Sequence, residues 1–429
     1  MIVPAPAAPG PREELGPEGY RLEIRGGAAR IEAEGDAGRF YAEQTLRALS
    51  AGGTPPDVTI ADRPRFAWRG VMLDVARHFF GVDDVRRLID HAAAYKLNVL
   101  HLHLSDDQGW RLAIDRWPRL AEHGGRTAVG GDPGGFYTHD DYRAIVRYGA
   151  ERFVTVVPEI DCPGHVQAAL ASYPELAGGG PAELYTGIEV GFSSLDAHAD
   201  LTYRFLADVF AELAALTPGE FLHIGGDEAH STSAEDYLAF MARVQPLVAA
   251  QGKRLVGWEE IASAALHTGS VVQYWNTMGP RGHDLARAAV GQGARLIMSP
   301  GDRVYLDMKY DPSTPLGQEW AGHVEVRDSY DWDPATLVES VGEDAILGVE
   351  APLWIETLRT LRDVETMLFP RLCAVAEVAW TPQDARDWDD FRTRVAREAP
   401  RWEAAGIAYT RSPQIDWPSP HRGFRIERA

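Results

Sequence analysis

Eight short apolar segments recur along the chain, and most of the stretches between them have the periodicity of amphipathic helices. In the first such stretch, Val85, Leu88, Ile89 and Ala92 fall at i, i+3, i+4 and i+7, which is one face of a helix. Alternating strands and helices predict a parallel sheet, and eight such units predict a (β/α)8 TIM barrel with inserted loops. The predicted strands are Val71–Val75, Leu97–Leu104, Phe153–Val157, Phe221–Ile224, Leu255–Trp258, Val271–Trp275, Leu296–Ser299 and Leu347–Val349.

A small α/β unit precedes the predicted barrel. Tyr20–Ile24 and Ala29–Ala33 alternate like strands around a pair of glycines, and a helix is expected over residues 37–49. These elements are too few to predict an independently stable domain. The chain therefore divides into residues 1–63 and a barrel over residues 64–429, with a flexible lead to about residue 18 and a C-terminal tail from about Tyr409.

The charge balance restricts the partners of this chain. Its formal net charge is −21, which repels nucleic-acid phosphates and anionic lipids but not a neutral sugar. Cys162 and Cys373 are too few for a disulfide framework and are expected to be buried thiols. No apolar run approaches the roughly 18 residues of a membrane span, and the start lacks the pattern of a signal peptide. We expect a cytoplasmic protein as the sequence is written, or a secreted one if an upstream signal peptide is missing.

Polar and aromatic residues follow almost every predicted strand. Because catalytic groups of TIM barrels lie at the carboxyl ends of the strands, this is where a site is expected. Asp227 and Glu228 follow one buried strand and two glycines. Glycosidases usually place two carboxylates on opposite sides of the scissile bond, which adjacent residues cannot easily do. The pair suits one acid/base and one carboxylate that holds a neighbouring substrate group; a solvated loop pair is the alternative.

Each of the other residues at the strand ends has a functional and a structural interpretation. Trp258, Trp275, Trp320 and Trp354 either pack in the core or enclose a sugar-binding pocket. A buried His165 could bridge Asp106 and another carboxylate, or be purely structural. The guanidinium of Arg77 could bind two adjacent hydroxyls or pair with Asp106. His101 and His103 point to one face of a strand, as in metal-dependent hydrolase barrels, although the further ligands of that class are not evident.

Four segments together resemble glycoside hydrolase family 20, the β-N-acetylhexosaminidases, in particular its bacterial members. The resemblance extends from about residue 66 to about residue 418. The segments are Arg77-His78-Phe79, His103-Leu-Ser-Asp106-Asp107-Gln-Gly-Trp110, Pro158-Glu-Ile-Asp161 with Pro163-Gly-His165, and His223-Ile-Gly-Gly-Asp227-Glu228. Two departures stand out: Cys162 replaces a frequent Met, and the N-terminal α/β domain is shortened, so we predict a partial one.

The resemblance implies a retaining exo-enzyme that removes terminal β-linked GlcNAc or GalNAc from oligosaccharides, using the substrate's acetamido group as nucleophile through an oxazolinium intermediate. It implies no metal and no organic cofactor, and a monomer or homodimer. A catalytically silent sugar-binding barrel and a metal-dependent hydrolase are the alternatives. The implied roles are acid/base for Glu228, acetamide binding for Asp227, Tyr305, Trp258, Trp275 and Trp354, hydroxyl binding for Arg77, Asp307 and Glu356, aglycone stacking for Trp320, and support of Glu228 by Asp106, Asp161 and His165.

Overall fold

A closed barrel of eight parallel strands forms the body of the protein. The computed structural model describes residues 15–50 and 53–418. Each barrel strand pairs with its neighbours in sequence, and the last strand of the barrel pairs with the first, which closes it. The strands are β4 (Trp68–Asp74), β5 (Val99–His103), β6 (Thr155–Glu159), β7 (Phe221–His223), β8 (Arg254–Trp258), β9 (Val271–Tyr274), β10 (Arg295–Met298) and β11 (Ile346–Ala351). All eight predicted strands, and the barrel itself, are confirmed.

Helices surround this barrel and lie over its loops. On α2 (Val82–Ala94) the predicted apolar face is buried, with Val85, Leu88, Ile89 and Ala92 all at most 1% exposed. Asp84 in its first turn accepts the Gly81 N–H at 3.1 Å, which begins the helix. The helices are α1 (Asp36–Ser50), α2 (Val82–Ala94), α3 (Arg119–Glu122), α4 (His139–Ala150), α5 (Gln167–Ser172), α6 (Asp200–Leu216), α7 (Ala234–Ala250), α8 (Pro280–Gly291), α9 (Gly301–Val304), α10 (Val326–Tyr330), α11 (Pro334–Leu337), α12 (Leu361–Leu368), α13 (Arg371–Trp380), α14 (Trp388–Ala396) and α15 (Ala399–Ala404). None of these helices of the described chain is long and apolar enough to span a membrane.

The N-terminal unit is a three-stranded antiparallel sheet in the order β2-β1-β3, packed against α1. Strands β1 (Tyr20–Arg25) and β2 (Ala28–Ala33) were predicted, but β3 (Val58–Asp62) was missed. Only Ile60 of β3 is fully buried, so the strand carries a weak apolar signal. The predicted flexible lead lies mostly outside the described residues; at its end, Glu18 is ion-paired with Arg69 of the barrel at 2.7 Å.

The predicted C-terminal tail packs on the barrel instead of extending from it. Up to residue 418 it has no regular secondary structure, but Ile415 is only 3% exposed. Aromatic packing explains the difference, because the Trp402, Tyr409 and Trp417 rings lie 5.0–6.1 Å apart. Residues 419–429 lie outside the described part of the chain.

Candidate active site

A cavity of about 350 Å³ opens at the carboxyl end of the barrel strands. This is the end at which TIM barrels carry their active sites. Asp106, Asp161 and Trp258, although predicted as site residues, are almost fully buried, at most 2% exposed. All the other predicted site residues line the cavity: Arg77, His165, Asp227, Glu228, Trp275, Tyr305, Asp307, Trp320, Trp354 and Glu356.

The turn after β7 has an unusual backbone that presents both carboxylates. Gly225 and Gly226 have φ of +68° and +100°, and Glu228 has φ of +43° although it has a side chain. A Cβ on Gly225 would lie 1.8 Å from Oδ1 of Asp161, so only glycine fits. The same Asp161 oxygen accepts the Gly226 N–H at 3.1 Å. Asp161 therefore fixes the turn that carries Asp227 and Glu228.

His165 connects the two carboxylates to Asp106. Its Nδ1 lies 3.2 Å from Oδ1 of Asp106, and its Nε2 lies 3.4 Å from Glu228 and 3.7 Å from Asp227. Its backbone φ of +55° is strained for a non-glycine residue, as is often found at functional positions. The predicted bridging of carboxylates by this histidine matches these distances.

The three groups have displaced pKa values. Burial raises the pKa of Asp227 well above its usual range, and the neighbouring Asp161 raises it further. Burial would also raise the pKa of Glu228, but the hydrogen bond and charge of His165 lower it overall. Burial lowers the pKa of His165, but Asp106, Glu228 and Asp161 together raise it well above its usual value. The free site thus favours a charged imidazole beside an ionised Glu228.

Aromatic rings form one wall of the cavity. Trp275 stacks on Tyr305, with ring centres 6.3 Å apart. Trp320, which is 39% exposed, lies at the mouth of the cavity and meets both rings edge-on. Trp258 is fully buried and lies behind Trp354, with ring centres 5.8 Å apart. The wall therefore has an outer layer that can contact a ligand and an inner layer that supports it.

The rest of the cavity lining is polar, and several of its buried atoms make fewer hydrogen bonds than they can. Arg77 pairs with Asp106 at 2.8 Å, as one reading of the sequence expected, while its Nε is buried. This Nε, both carboxylate oxygens of Asp307, Oε2 of Glu356 and Oδ1 of Asp227 have no hydrogen-bond partner among residues 15–50 and 53–418. Burial raises the pKa of Glu356 to about 6, against the effect of Arg77. Buried polar atoms without partners are costly, so the lining suits a ligand rich in hydroxyl groups.

The histidines of the metal hypothesis lie below the cavity, inside the barrel. His101 and His103 are both 0% exposed, and each lies between two carboxylates. Nitrogen and oxygen atoms of His101, Glu159 and His223 are close enough together to hold an ion. An ion there would lie beneath the cavity lining, without the open coordination position toward substrate that metal hydrolysis needs.

Sequence reasoning missed several residues of this region. Ile188, Val190, Met278 and Gln318 line the cavity from loops that carry no strand or helix pattern. Glu260 accepts a hydrogen bond from the indole of Trp275 at 3.2 Å, behind the wall. Glu159 stood inside a recognised motif, at a strand end, but had no role assigned. Strand-end position was the one signal that could have found it.

A TIM barrel whose carboxyl end holds an aromatic wall, acidic groups and unbonded polar atoms belongs to the class of barrel enzymes. The sequence matches the catalytic domain of glycosyl hydrolase family 20 over residues 66–239 and 230–383, and domain 2 of that family over residues 5–63. The chain belongs to glycoside hydrolase family 20.

Named relatives agree with this assignment. A β-N-acetylhexosaminidase of Cellulomonas fimi is 50% identical, over 94% of this chain and 82% of the relative. The family 20 β-N-acetylhexosaminidase of Streptomyces coelicolor A3(2) superposes with a TM-score of 0.91 at 54% identity, over 96% of this chain and 85% of that one. A mutant Streptomyces plicatus β-hexosaminidase in complex with its product GlcNAc gives 0.92 at 55% identity, with the same coverage.

Proposed function

We propose that this chain is a retaining exo-β-N-acetylhexosaminidase, which removes terminal β-linked GlcNAc or GalNAc from the non-reducing end of oligosaccharides. One observation carries the proposal: adjacent Asp227 and Glu228 both face Nε2 of His165 beside an aromatic wall. Two carboxylates on one turn serve one acid/base and one substrate group, not a two-carboxylate displacement. Family 20 is itself a known substrate-assisted exception to that displacement.

Glu228 acts as the general acid and then as the general base. It protonates the leaving oxygen while the substrate's acetamido oxygen attacks the anomeric carbon and forms the oxazolinium ion. It then removes a proton from the water that opens this ring, which restores the original anomeric configuration. His165 supports both steps because it holds a proton within 3.4 Å of the Glu228 carboxylate.

Asp227 and the aromatic wall hold the acetamido group. Oδ1 of Asp227, which has no hydrogen-bond partner among the described residues, accepts its N–H. The positive charge of the oxazolinium lowers the raised pKa of Asp227 and favours its ionised form, which in turn stabilises the ion. Tyr305 donates to the acetamido oxygen and orients it for attack. Trp275 and Trp354 enclose the methyl group, and Trp258 supports Trp354 from behind.

The polar lining binds the rest of the terminal sugar. Arg77 and Glu356 bind ring hydroxyls, and Asp307 binds the 6-hydroxyl. They do so through the buried atoms that have no hydrogen-bond partner in the described part of the chain. Trp320, at the mouth, stacks on the leaving sugar. Asp106 and Asp161 act indirectly, the first through His165 and the second through the turn.

The partner, compartment and oligomer assignments remain predictions from the sequence. Family membership supports N-acetylated amino-sugar substrates. The charge of −21 disfavours nucleic acid and anionic membrane surfaces as partners. A cytoplasmic location and a monomer or homodimer are tested by fractionation and by light scattering.

Hydrolysis of an aryl β-N-acetylglucosaminide, compared with the matching aryl β-glucoside in the presence of chelator, tests the function. We expect cleavage of the first substrate alone, because the glucoside lacks the internal nucleophile. Equal cleavage of both would contradict the role of Asp227 and indicate a protein nucleophile. Cleavage of neither would favour a sugar-binding barrel, and activity restored by added Zn²⁺ would favour a metal hydrolase.

A further inference from the structure

A group of buried histidines and carboxylates lies inside the barrel beneath the cavity, centred on Glu159 at the end of β6. This carboxylate is 0% exposed and is surrounded by three imidazoles and one indole. Its Oε1 lies 2.8 Å from Nδ1 of His223 and 2.9 Å from the indole nitrogen of Trp258. Its Oε2 lies 2.5 Å from Nδ1 of His103 and 3.1 Å from Nε2 of His101. Each oxygen therefore has one hydrogen bond, from Trp258 or from His103, and also lies beside a further imidazole, that of His223 or of His101.

A series of side-chain contacts begins at each carboxylate oxygen of Glu159, and the two series reach different parts of the active site. From Oε1, the fixed Trp258 packs against Trp354 of the cavity wall. From Oε2, His103 bonds Oδ2 of Asp106 at 2.7 Å. The other oxygen of Asp106, Oδ1, contacts Nδ1 of His165, and Nε2 of His165 faces Glu228. Each path consists of direct contacts between side chains held in a packed barrel.

We propose that Glu159 is a positioning residue that fixes both the acetamide-binding wall, through Trp258, and the acid/base Glu228, through His103, Asp106 and His165. The proposal rests on the function proposed above and extends it. One carboxylate then sets the distance between the group that holds the nucleophile and the group that delivers the proton. Substrate-assisted chemistry needs this distance to be constant, because nucleophile and leaving group belong to the same sugar.

Electrostatic interactions keep the path from Oε2 of Glu159 through His103 and Asp106 in one hydrogen-bonding arrangement. Three carboxylates face His103, those of Glu159, Asp106 and Asp161. The guanidinium of Arg77 lies 3.4 Å from its Nε2. Burial lowers the pKa of His103, but the charge of Glu159 and the bonds to Glu159 and Asp106 raise it to about 10. A protonated His103 donates from both nitrogens, so Oδ2 of Asp106 stays bound to His103 and Arg77 and Oδ1 stays available to His165.

Glu350, at the end of β11, offers a matched control. It is equally buried and also accepts from His101, at 2.8 Å, and from an indole, that of Trp68, at 2.8 Å. Its contacts run to the barrel interior and not to the cavity wall or Asp106. Glu159→Gln and Glu350→Gln therefore remove the same charge from the same kind of environment.

The test measures two properties of each full-length variant: the affinity for GlcNAc by calorimetry, and the pH profile of kcat/KM on an aryl β-N-acetylglucosaminide. For Glu159→Gln we expect a loss of about 10-fold or more in kcat/KM near neutral pH, since hydrogen bonds to charged groups are the strong ones. As the pH rises, we expect the activity of Glu159→Gln to fall at a lower pH than that of the wild type. The reason is that the pKa of His103 is lower without the charge of Glu159. GlcNAc affinity also falls. Glu350→Gln keeps the wild-type pH profile and affinity, whatever its melting temperature.

Single-path variants keep the proposal testable if Glu159→Gln does not fold. Trp258→Phe keeps the ring but removes the N–H, and is expected to weaken GlcNAc binding without moving the pH profile. His103→Gln is expected to move the profile and leave GlcNAc binding unchanged. Identical behaviour of Glu159→Gln and Glu350→Gln would overturn the positioning role. So would the opposite pattern in the single-path variants, in which Trp258→Phe moves the pH profile and His103→Gln weakens GlcNAc binding. An inactive wild type would instead overturn the proposed function.

Discussion

At the residue scale, the proposed acid/base Glu228 shares its proton with His165. In the free protein the pKa of Glu228 is lowered and that of His165 is raised, so the proton of the pair resides on the imidazole. Substrate entering the cavity removes water from Glu228 and favours its neutral form, which places the proton where the leaving oxygen needs it. The pH–rate profile is therefore expected to report the pair and not one residue.

Replacing Glu228 by Gln is expected to lower kcat by about 10²- to 10⁴-fold, the usual contribution of a general acid. The loss should depend on the leaving group, because a dinitrophenolate departs without protonation whereas a sugar does not. The measurement is kcat on dinitrophenyl and chitobiose substrates side by side. Glu235→Gln, an exposed acid on α7, is the control. An equal loss on both substrates would contradict the acid role.

The sequence predicted those cavity-lining residues whose position along the chain is enough to identify them. Asp227 and Glu228 follow a buried strand and two glycines, and the tryptophans follow strand ends. Glu159 was overlooked because its importance comes from histidines on two neighbouring strands, and the register that aligns Glu159 with His103 and His223 is a property of the barrel. The depth of Trp258 is likewise set by packing against Trp354 and cannot be inferred from its own strand.

At the scale of elements, the turn after β7 is the part of the fold most constrained by the chemistry. β7 has three residues and pairs with β6 through a single residue pair, Glu159 with His223. The chain then turns at once through two left-handed glycines. The short strand and tight turn place Asp227 and Glu228 directly over the end of the barrel instead of on a long loop.

Gly225→Ala is expected to lower both activity and stability, because its Cβ would displace the Asp161 carboxylate from 1.8 Å away. Gly252→Ala is the matched control. Gly252 has φ of +70°, close to +68° at Gly225, and no heavy atom of residues 15–50 and 53–418 lies within 4 Å of the added Cβ. Both variants carry the same backbone strain, so their difference isolates the contact with Asp161. Melting temperature and kcat/KM are measured together; equal effects of the two substitutions would refute the steric argument.

The strands of the barrel were predictable because parallel strands are buried on both faces and appear as continuous apolar runs. β11, for example, is buried at every position. β3 was missed because it lies at the edge of a small antiparallel sheet and has one buried residue out of five. The one-turn helices α9, α10 and α11 also escaped prediction, since four or five residues are too few to show a helical period.

At the scale of the whole molecule, a buried ion pair joins the N-terminal sheet to the end of the barrel opposite the cavity. Lys96, just before β5, is 2% exposed and contacts Asp62 of β3 at 3.2 Å. Asp62 also accepts from the hydroxyl of Tyr20 at 2.7 Å and from the indole of Trp380 at 2.9 Å. Burial lowers the pKa of Lys96, and Asp62 acts against that shift. One carboxylate thus joins both units of the chain while lying far along the strands from Glu228.

Asp62→Ala is expected to cost about 3–5 kcal/mol in the free energy of unfolding, because it leaves a buried Lys96 without its charged partner. Glu32→Ala, which breaks an exposed pair with Arg30 on the same sheet, is expected to cost at most about 1 kcal/mol. Both variants should retain wild-type kcat/KM at 25 °C, since neither contact reaches the cavity.

The pH dependence separates this explanation from a simple loss of packing. Without Asp62, the pKa of Lys96 in the folded protein falls further below its unfolded value, and the folded protein can release that proton as the pH rises. The stability deficit of Asp62→Ala relative to wild type should therefore be full at neutral pH and shrink toward the unfolded pKa of lysine. Denaturant unfolding at neutral and alkaline pH measures this change, and a deficit that stays constant would mean that packing, not the buried charge, holds the two units together.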